Sequence, residues 1–340
     1  MSEEARTALE SIPYLALTVS LESEATVESG ARQVLAHFIP SWNADGEFSL
    51  STITDGLTNK LYKVKSEHGK TLVRVYGANT EKLIDRQQEM LTMLSLAKLG
   101  LSPPLYGRFD NGICYGYLPG IPFSADDMID PAKGPLVAEQ LARFHATPVT
   151  TKTDERQPRL FRTIRKWLGE LSDDDVAAAR ATGLERPLSE SGQPIVAEQL
   201  SKQALLDELQ RLQDHIESLD CDVVFCHNDL LSGNILYQPA SSDAEARVWF
   251  IDYEYGSYNY RCFDIGNHWA EWLGFTADPA RQPSLEHQRR WLEAYERVWR
   301  EVDAAHAQAL SAEESIDRLR QHTSKFTLIS HFHWGVWALV

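Results

Sequence analysis

The sequence predicts an α+β protein with two lobes, a small N-terminal lobe built on an antiparallel sheet and a larger, mainly helical C-terminal lobe. Apolar and polar residues alternate within 48–75, a pattern typical of antiparallel strands. Further along the chain, apolar residues recur at helical spacing instead. A Pro-Gly-Ile-Pro segment at 119–122 separates the two patterns and is read as a hinge, so we expect lobes at 1–118 and 119–340.

The N-terminal lobe begins without a strong pattern. We expect residues 1–27 to include a mobile tail and a first helix to run over 28–38, where a proline ends it. Three strands joined by tight turns then lie within 48–76. The turn over 54–60, which contains Asn59, either covers nucleotide phosphates with its backbone N–H groups or is a plain hairpin turn.

One of these strands carries a cation in an apolar setting. Arg74 alternates with Val73 and Val75, and a cation in so apolar a strand needs a partner. Glu89, on a helix predicted over 81–98, is the candidate partner. The alternatives are a rim arginine that reaches solvent and an exposed glutamate on the helix.

A second hairpin is predicted over 105–118, after a Pro-Pro break. Its end leads directly into the hinge. Backbone groups near Tyr117 and Leu118 are therefore candidates to bind the edge of an adenine base.

The C-terminal lobe is predicted to be mostly helical. His145 lies at helical spacing with apolar neighbours and is expected to be structural, and the acidic run 173–175 indicates a solvated helix start rather than a metal site. The final segment stops without a capping signal, which suggests the hypothesis that the natural chain continues beyond Val340. The predicted helices run over 136–146, 160–171, 196–219 and 284–302, before an apolar, aromatic segment over 326–340.

Composition excludes some classes of function. The formal net charge of −16 argues against sequence-independent binding to nucleic acid or to anionic membranes. The four cysteines show no C-x-x-C spacing and are too few for a disulfide framework, so free buried thiols are expected. No apolar run approaches the ~20 residues of a membrane span. The acidic start M-S-E-E lacks the features of a secretory signal, so we expect a cytoplasmic protein.

The chemistry is concentrated in one central stretch. His227, Asp229 and Asn234 form the pattern H-x-D-x-x-x-x-N after an apolar strand, and Asp252 ends a second apolar strand. Asp229 can accept the proton of an attacking hydroxyl, while an amide and a carboxylate oxygen suit magnesium. His227 is expected to brace the loop. This combination indicates a phosphoryl-transfer site of the protein-kinase-like kind.

Aromatic and acidic residues suggest the acceptor. Glu271, Trp334 and Trp337, with Tyr255 as a weaker member, could hold an alkylammonium group by charge and by cation–π contacts. The alternative, that the aromatic residues belong to the core, holds for most of the others in this region.

Two long motifs resemble the choline/ethanolamine kinase family. These are H-N-D-L-L-S-G-N at 227–234 and F-I-D-Y-E-Y-G-S-Y-N-Y-R-C-F-D-I-G-N-H-W-A-E-W at 250–272. Shorter matches are T-D-G-L-T-N-K-L and L-V-R-V-Y-G in the N-terminal lobe and S-H-F-H-W-G-V-W-A-L near the end. The resemblance covers most of residues 50–120, 222–273 and 324–340, and it does not extend to 148–220 except by position.

The resemblance implies a protein-kinase-like fold and transfer of the γ-phosphate of ATP to the hydroxyl of ethanolamine or choline. It implies that Asp229 is the catalytic base and that Asn234 and Asp252 bind Mg²⁺. Arg74 would stand in the place of the usual kinase lysine, paired with Glu89. Glu271, Trp334 and Trp337 would hold the ammonium group.

The motifs are more similar to ethanolamine kinases than to choline kinases. T-D-G-L-T-N-K-L, N-G-I-C-Y and Gly274-Phe275 carry this similarity, and a thinner aromatic cage suits a primary ammonium. The product would be phosphoethanolamine for phosphatidylethanolamine synthesis. The alternatives are a choline or dual kinase, an aminoglycoside-type phosphotransferase and an inactive kinase-like binding module. A homodimer is among the expected assemblies, and neither nucleic acid nor membrane insertion is expected.

Overall fold

A computed structural model describes residues 1–42, 48–55, 59–77, 85–153, 156–183, 200–242 and 244–340. The chain divides into two compact units. Unit 1 comprises residues 1–127, 146–155 and 231–256, and unit 2 comprises residues 128–145, 156–230 and 257–340. No helix in the described part of the chain has both the length and the apolar character that crossing a bilayer requires.

The regular elements are numbered along the chain. The strands are β1 (Tyr14–Leu15), β2 (Ser49–Asp55), β3 (Asn59–Ser66), β4 (Gly69–Tyr76), β5 (Leu105–Phe109), β6 (Gly112–Gly116), β7 (Ile121–Pro122), β8 (Val223–Cys226), β9 (Ile235–Gln238), β10 (Arg247–Phe250) and β11 (Ser257–Tyr260). The helices are α1 (Glu3–Glu10), α2 (Glu24–Phe38), α3 (Arg86–Ala97), α4 (Gly134–His145), α5 (Leu160–Glu170), α6 (Asp173–Gly183), α7 (Lys202–Glu217), α8 (Arg261–Ala270), α9 (Leu285–Val302), α10 (Ala304–Ala309) and α11 (Ala312–Trp337).

Unit 1 is built on a six-stranded sheet with the order β1-β5-β6-β4-β3-β2. Its strands pair antiparallel, except that β1 runs parallel to β5. The two faces of β4 alternate as predicted: Val73 and Val75 belong to the core cluster, whereas Leu72 and Arg74 line a cavity. Helix α2 packs Val34 and Leu35 into the core cluster that contains these valines, because its apolar residues recur at helical spacing.

The N-terminal residues differ from the expectation. Residues 1–27, for which no regular element was predicted, form α1, β1 and the first turn of α2. Ser2 caps α1 through a bond from the Ala5 N–H, and Ala5 and Leu9 are buried. The signal was weak because α1 is short and β1 depends on pairing with β5, a distant partner.

The predicted hinge is paired in a sheet. Residues 121–122 form β7, which pairs with β9 in the three-stranded sheet β10-β9-β7 of unit 1. Gly120 has a φ of +144°, which a residue with a side chain rarely adopts. The compact units are discontinuous in sequence, and the division into lobes at 1–118 and 119–340 stays a prediction.

Unit 2 is mainly helical around the two-stranded sheet β11-β8. Helix α8 lies against α11, and the approach is close at Gly266, where an added Cβ would come within 2.8 Å of the Thr327 backbone nitrogen. Trp291 and Tyr295 of α9 stack on one another in the core. The helices predicted over 160–171 and 284–302 are confirmed as α5 and α9. The acidic run at 173–175 begins α6, as predicted.

Two predicted elements extend beyond the described residues. The helix predicted over 81–98 is present as α3, and 81–84 lie outside the described part of the chain. The helix predicted over 196–219 is present as α7, and 196–199 lie outside it as well. The turn residues 56–58 beside Asn59 are also outside the described ranges.

Candidate active site

A cavity of about 420 Å³ lies within unit 1. Side chains from β3, β4, β6, α3 and β9 line it, together with residues that follow β10. The lining combines apolar groups such as Leu72 with charged groups, which suits a ligand that has an aromatic part and an ionic part. All seven residues predicted to bind nucleotide or metal are among those that line it: Asn59, Arg74, Glu89, Tyr117, Leu118, Asn234 and Asp252.

The predicted ion pair between Arg74 and Glu89 is present. Both side chains are buried, with residue exposures of 6% and 2%. Arg86 lies 3.5 Å from the second oxygen of Glu89 and 3.8 Å from Glu254. Each charge in the network thus has a partner of opposite sign. This pairing matters because a buried ion without a partner is energetically costly. The network fixes the Arg74 guanidinium at the cavity wall.

Asn234 and Asp252 lie at the same end of the β9–β10 pair. The register joins Ile235 to Phe250, and beyond it the Ile251 N–H donates to the Asn234 carbonyl oxygen at 3.0 Å. Residues 234 and 252 therefore emerge side by side where the ladder stops. This pairing brings two residues that are 18 positions apart in sequence to the lining of the same cavity.

Asp252 has the features of an ion ligand. Its φ of +65° lies in the left-handed region, which is strained for a residue with a side chain and common at functional sites. Its Oδ1 is buried and accepts no hydrogen bond from the residues that the structure describes. Burial raises the pKa of this carboxyl although Arg74 opposes the shift. A carboxylate oxygen beside an amide oxygen fits magnesium, which completes its shell with phosphate and water oxygens.

The predicted base, Asp229, lies in unit 2 on the loop that follows β8. The buried carboxylate of Asp264 accepts from the N–H groups of His227 and Asn228, each at 2.7 Å, and also bonds to His145 Nε2 at 3.0 Å. Burial alone would raise the pKa of Asp264, but the bond to His145 and the charges around it hold that pKa below its ordinary value. Asp264 therefore stays ionised and clamps the loop just before Asp229.

Hydrogen bonds fix both the backbone and the side chain of Asn228. Its φ is +64°, and its side chain bonds to Ser257 Oγ at 3.0 Å and accepts from Asn259 Nδ2 at 2.9 Å. The His227 ring is fully buried beside Phe144, with 5.9 Å between ring centroids. The half-buried Asp229 thus projects from a backbone that its neighbours fix on both sides.

Helix α8 supplies two further contacts to the same loop. Asn267 Nδ2 donates to the Asn228 carbonyl oxygen at 3.3 Å, and His268 Nδ1 lies 3.1 Å from the Leu230 carbonyl oxygen. Burial lowers the pKa of His268 to about 4, so the ring is neutral near pH 7 and Nδ1–H donates this bond. Since positions 264, 267 and 268 share one face of a helix, one element positions the loop.

Asn267 also holds a predicted ammonium-binding residue. Its Oδ1 accepts from Trp334 Nε1 and from Ser330 Oγ, each at 2.7 Å. The Trp337 ring meets the Trp334 ring edge-on with 5.7 Å between centroids, and Trp337 is 44% exposed. Glu271 follows one turn later, with its N–H bonded to the Asn267 carbonyl oxygen.

Glu271 is a carboxylate in a partly buried position. Burial raises its pKa. Within the described ranges no side chain forms an ion pair with it. Tyr255, the fourth predicted ammonium ligand, belongs to unit 1, whereas Glu271, Trp334 and Trp337 belong to unit 2.

Asp264, Asn267 and His268 were not among the residues predicted for the site. A signal was available, because these polar residues recur at positions i, i+3 and i+4 in a segment that is otherwise rich in apolar side chains. A buried polar stripe of this kind needs partners. Those partners are main-chain groups of the loop, which no side-chain pattern could identify.

Comparison with known proteins identifies the family. A family profile described as choline/ethanolamine kinase matches residues 50–340. Ethanolamine kinase 1 from Mus musculus is 34% identical over 97% of this chain and 86% of its own length. A probable ethanolamine kinase A from Dictyostelium discoideum is 30% identical over 92% of this chain and 85% of its own length.

A solved structure is also similar. The ethanolamine kinase of Plasmodium vivax superposes with a TM-score of 0.74 at 25% identity, over 99% of this chain and 87% of that one. This similarity confirms the predicted protein-kinase-like fold class. The profile match and the mouse relative show that the chain belongs to the choline/ethanolamine kinase family.

Proposed function

We propose that this protein is an ethanolamine kinase, which transfers the γ-phosphate of ATP to the hydroxyl of ethanolamine. The product, phosphoethanolamine, would enter phosphatidylethanolamine synthesis. The relatives described above carry the name ethanolamine kinase and match nearly the whole chain, which supports this substrate. The observation that carries the proposal is the half-buried carboxylate of Glu271, which has no cationic partner among the described residues.

The surroundings of Glu271 suit a primary ammonium better than a quaternary one. A primary ammonium needs acceptors for its N–H groups, whereas a quaternary one needs a full aromatic cage. The turn after Glu271 offers Phe275, which is 88% exposed and so forms no wall. Trp334 is the tryptophan anchored beside the Glu271 turn through Asn267. One carboxylate with one or two indoles is a thin cage.

The nucleotide side of the reaction would use the cavity of unit 1. The backbone near Tyr117 and Leu118 would bind the adenine edge, and Asn59 would lie near the phosphates. Arg74 would neutralise phosphate charge from its place in the buried ion-pair network. Asn234 and Asp252 would hold Mg²⁺, which supplies charge neutralisation at the phosphates when bound.

The acceptor side would use the loop of unit 2. Asp229 would take the proton of the ethanolamine hydroxyl as its oxygen attacks the γ-phosphorus, while the bond from that phosphorus to the ADP oxygen breaks. The Asp264 clamp and the bond from Asn267 would keep Asp229 in one position, which lowers the entropic cost of orientation. His227 would brace the loop from the core. Glu271, Trp334 and Trp337, with Tyr255 as the weaker member, would hold the ammonium group.

Choline is the second candidate substrate. The edge-on pair of Trp334 and Trp337 is the observation that favours it, since indole faces attract a quaternary ammonium without hydrogen bonds. A dual kinase would use the same pair for both amino alcohols. The aromatic contribution is about 0.5–2 kcal/mol per contact.

The decisive experiment measures ATP turnover by the full chain with ethanolamine, choline and an aminoglycoside side by side. We expect kcat/KM to be highest for ethanolamine, lower for choline and at background for the aminoglycoside. An Asp229→Ala protein serves as the blank, because it separates turnover from contaminating kinase. A clear preference for choline would reverse the substrate assignment. No turnover with either amino alcohol would favour an inactive, kinase-like binding module.

Three further expectations belong to this proposal. An ATP-dependent kinase of this class would act in the cytoplasm, where ATP is supplied. Its lobes would be residues 1–118, which bind the nucleotide, and residues 119–340, which carry the catalytic and substrate-binding residues. Sedimentation of the purified chain tests the expectation of a homodimer, since a single species at 38.4 kDa would exclude it.

A further inference from the structure

Two of the four cysteines face each other in unit 2. The β8–β11 register pairs Val223 with Tyr260, and the Arg261 N–H continues the ladder by donating to the Asp222 carbonyl oxygen at 2.8 Å. Cys221 and Cys262 are the next residues along the two segments, and both line one cavity. Cys262 lies in the first turn of α8, and its thiol is close enough to that of Cys221 for a side-chain hydrogen bond.

Cys221 and Cys262 line a cavity of about 410 Å³. It is separate from the cavity of unit 1, which is lined by the residues predicted to bind nucleotide. Cys221 is half-buried at this cavity, and Cys262 is buried directly behind it. Hydrogen bonds from the Cys262 thiol and then from His322 lower the pKa of the Cys221 thiol. Since the thiolate is the reactive form, Cys221 is the nucleophile of the pair.

The charges around Cys221 are mostly compensated. Arg261 lies 2.6 Å from Asp222, and Arg318 lies 2.5 Å from Asp220. Asp303 is a third acidic residue in the lining. Because two of the carboxylates are paired with arginines, their repulsion of a thiolate is reduced.

The remaining two cysteines lack these features. Cys114 and Cys226 are fully buried, and burial raises the pKa of each thiol. Cys114 and Cys226 are therefore internal controls. A reagent that modified every cysteine regardless of its position would modify these two as well. Cys221 and Cys262 are therefore distinguished by lining the same cavity and by mutual contact, and Cys221 also by a neighbouring imidazole.

We propose that Cys221 and Cys262 form a dithiol site that hydroperoxides oxidise to a disulfide. The Cys221 thiolate attacks one peroxide oxygen, so that an S–O bond forms, the O–O bond breaks, and the released hydroxide takes a proton to become water. The Cys262 sulfur then attacks the Cys221 sulfur, with loss of its proton. The S–S bond forms, the S–O bond breaks and a second water leaves. Two thiols are oxidised and one hydrogen peroxide is reduced to two waters.

The position of the pair gives the bond a structural effect. Cys221 lies two residues before β8, which leads into the loop of Asp229, and Cys262 lies in the first turn of α8, which clamps that loop. The disulfide would join the starts of the two elements that position Asp229. This inference does not depend on which amino alcohol is the substrate.

The test treats the full chain with hydrogen peroxide, blocks the remaining thiols with N-ethylmaleimide and maps peptides by mass spectrometry without reduction. We expect a peptide pair joined through Cys221 and Cys262, which dithiothreitol separates, while Cys114 and Cys226 remain thiols. Cys221→Ser and Cys262→Ser should each abolish the cross-link. Sulfinic acid at Cys221 without a cross-link, or a disulfide between two chains, would overturn the proposal.

A second measurement tests the activation of Cys221 without relying on the cross-link. Iodoacetamide should alkylate Cys221 faster than Cys226 in the native protein, and His322→Ala should slow the Cys221 reaction several-fold. His215→Ala is the matched control, because His215 is exposed on α7 and lies outside the cavity lining. Equal alkylation rates for Cys221 and Cys226 would contradict the assignment.

Discussion

The two units stabilise their functional residues by different means. Unit 1 places the charged pair of Arg74 and Glu89 at its cavity wall, and Arg86 connects this pair to Glu254. Unit 2 holds the loop of Asp229 with hydrogen bonds to main-chain groups, donated or accepted by Asp264, Asn267 and His268. The first arrangement presents charge to a ligand, and the second fixes the position of one side chain.

This difference predicts how a substitution in each unit should affect folding and function. Removing one member of a buried ion network leaves an uncompensated charge, so folding and function are lost together. Removing a side chain that projects from a well-bonded loop leaves the bonds intact, so function is lost alone. Four experiments test this contrast, ordered from the largest expected effect to the smallest.

The largest effect is expected at Asp229. Asp229→Asn should lower kcat by about 10²–10⁴-fold, because a positioned general base contributes of that order. Thermal unfolding and nucleotide affinity should change little, since the clamping bonds come from other residues. Asp207→Asn, an exposed change on α7, is the matched control. Substantial turnover by Asp229→Asn would refute its role as base.

A large effect on stability is expected at Arg74. Arg74→Ala should destabilise the protein by about 3–5 kcal/mol, since it leaves Glu89 buried beside Arg86 alone. Urea unfolding measures this free energy. Arg74→Lys should recover part of the loss, and Arg247→Ala, an exposed change on β10, should cost less than about 1 kcal/mol. Full stability of Arg74→Ala with weak ATP binding would mean that the network is not structural.

The clamp in unit 2 should show a pH dependence. Burial lowers the pKa of His268 from 6.5 to about 4, so only the unfolded chain binds this proton between those values. Its contribution to stability is present above pH 6.5 and falls by on the order of 3 kcal/mol as pH drops to 4. His145 and His333, whose pKa values are also lowered by burial, act in the same direction.

His268→Gln tests that contribution. The variant should lose a part of the acid sensitivity between pH 6.5 and 4, as measured by the free energy of urea unfolding at each pH. An unchanged pH profile would show that His268 does not stay neutral in the folded state.

The smallest effect is expected at Glu271. Glu271→Gln should raise KM for ethanolamine by about 10–100-fold, the value of one charge-assisted hydrogen bond. The effect on choline should be smaller, because a quaternary ammonium donates no hydrogen bond. In the wild type, KM should rise as pH falls through the raised pKa of Glu271, since the protonated acid no longer attracts the ammonium. Glu286→Gln, an exposed change on α9, is the control. Equal losses for both substrates would argue against hydrogen bonding by Glu271.

Much of unit 1 could be predicted because its signals are local. Alternation in 48–76 predicted three strands, and a lone arginine in β4 indicated the need for a partner such as Glu89. The parallel pairing of β1 with β5 could not be predicted, since two residues carry no periodicity and their partner lies far along the chain. The roles of the residues that line the cavity remain predictions.

In unit 2 the H-N-D motif could be identified from the sequence, whereas the contacts that hold its loop could not. H-N-D and the apolar strand before it identified the loop, but the contacts of Asp264 and Asn267 run to backbone atoms. The facing of Cys221 and Cys262 required the β8–β11 register, because 41 positions separate them in sequence. Spacing rules for cysteines apply to neighbours in sequence and miss neighbours across strands.

Asn267 lies on α8 and Glu271 caps this helix, which has a consequence for the length of the substrate. Asn267 and Glu271 are four residues apart, so their backbone positions lie about 6 Å apart along the helix axis. Under the proposed function, that turn sets the distance between the sites that bind the hydroxyl and the ammonium of the acceptor. A three-carbon amino alcohol would mismatch it by about one bond length, so selection by chain length requires no additional pocket.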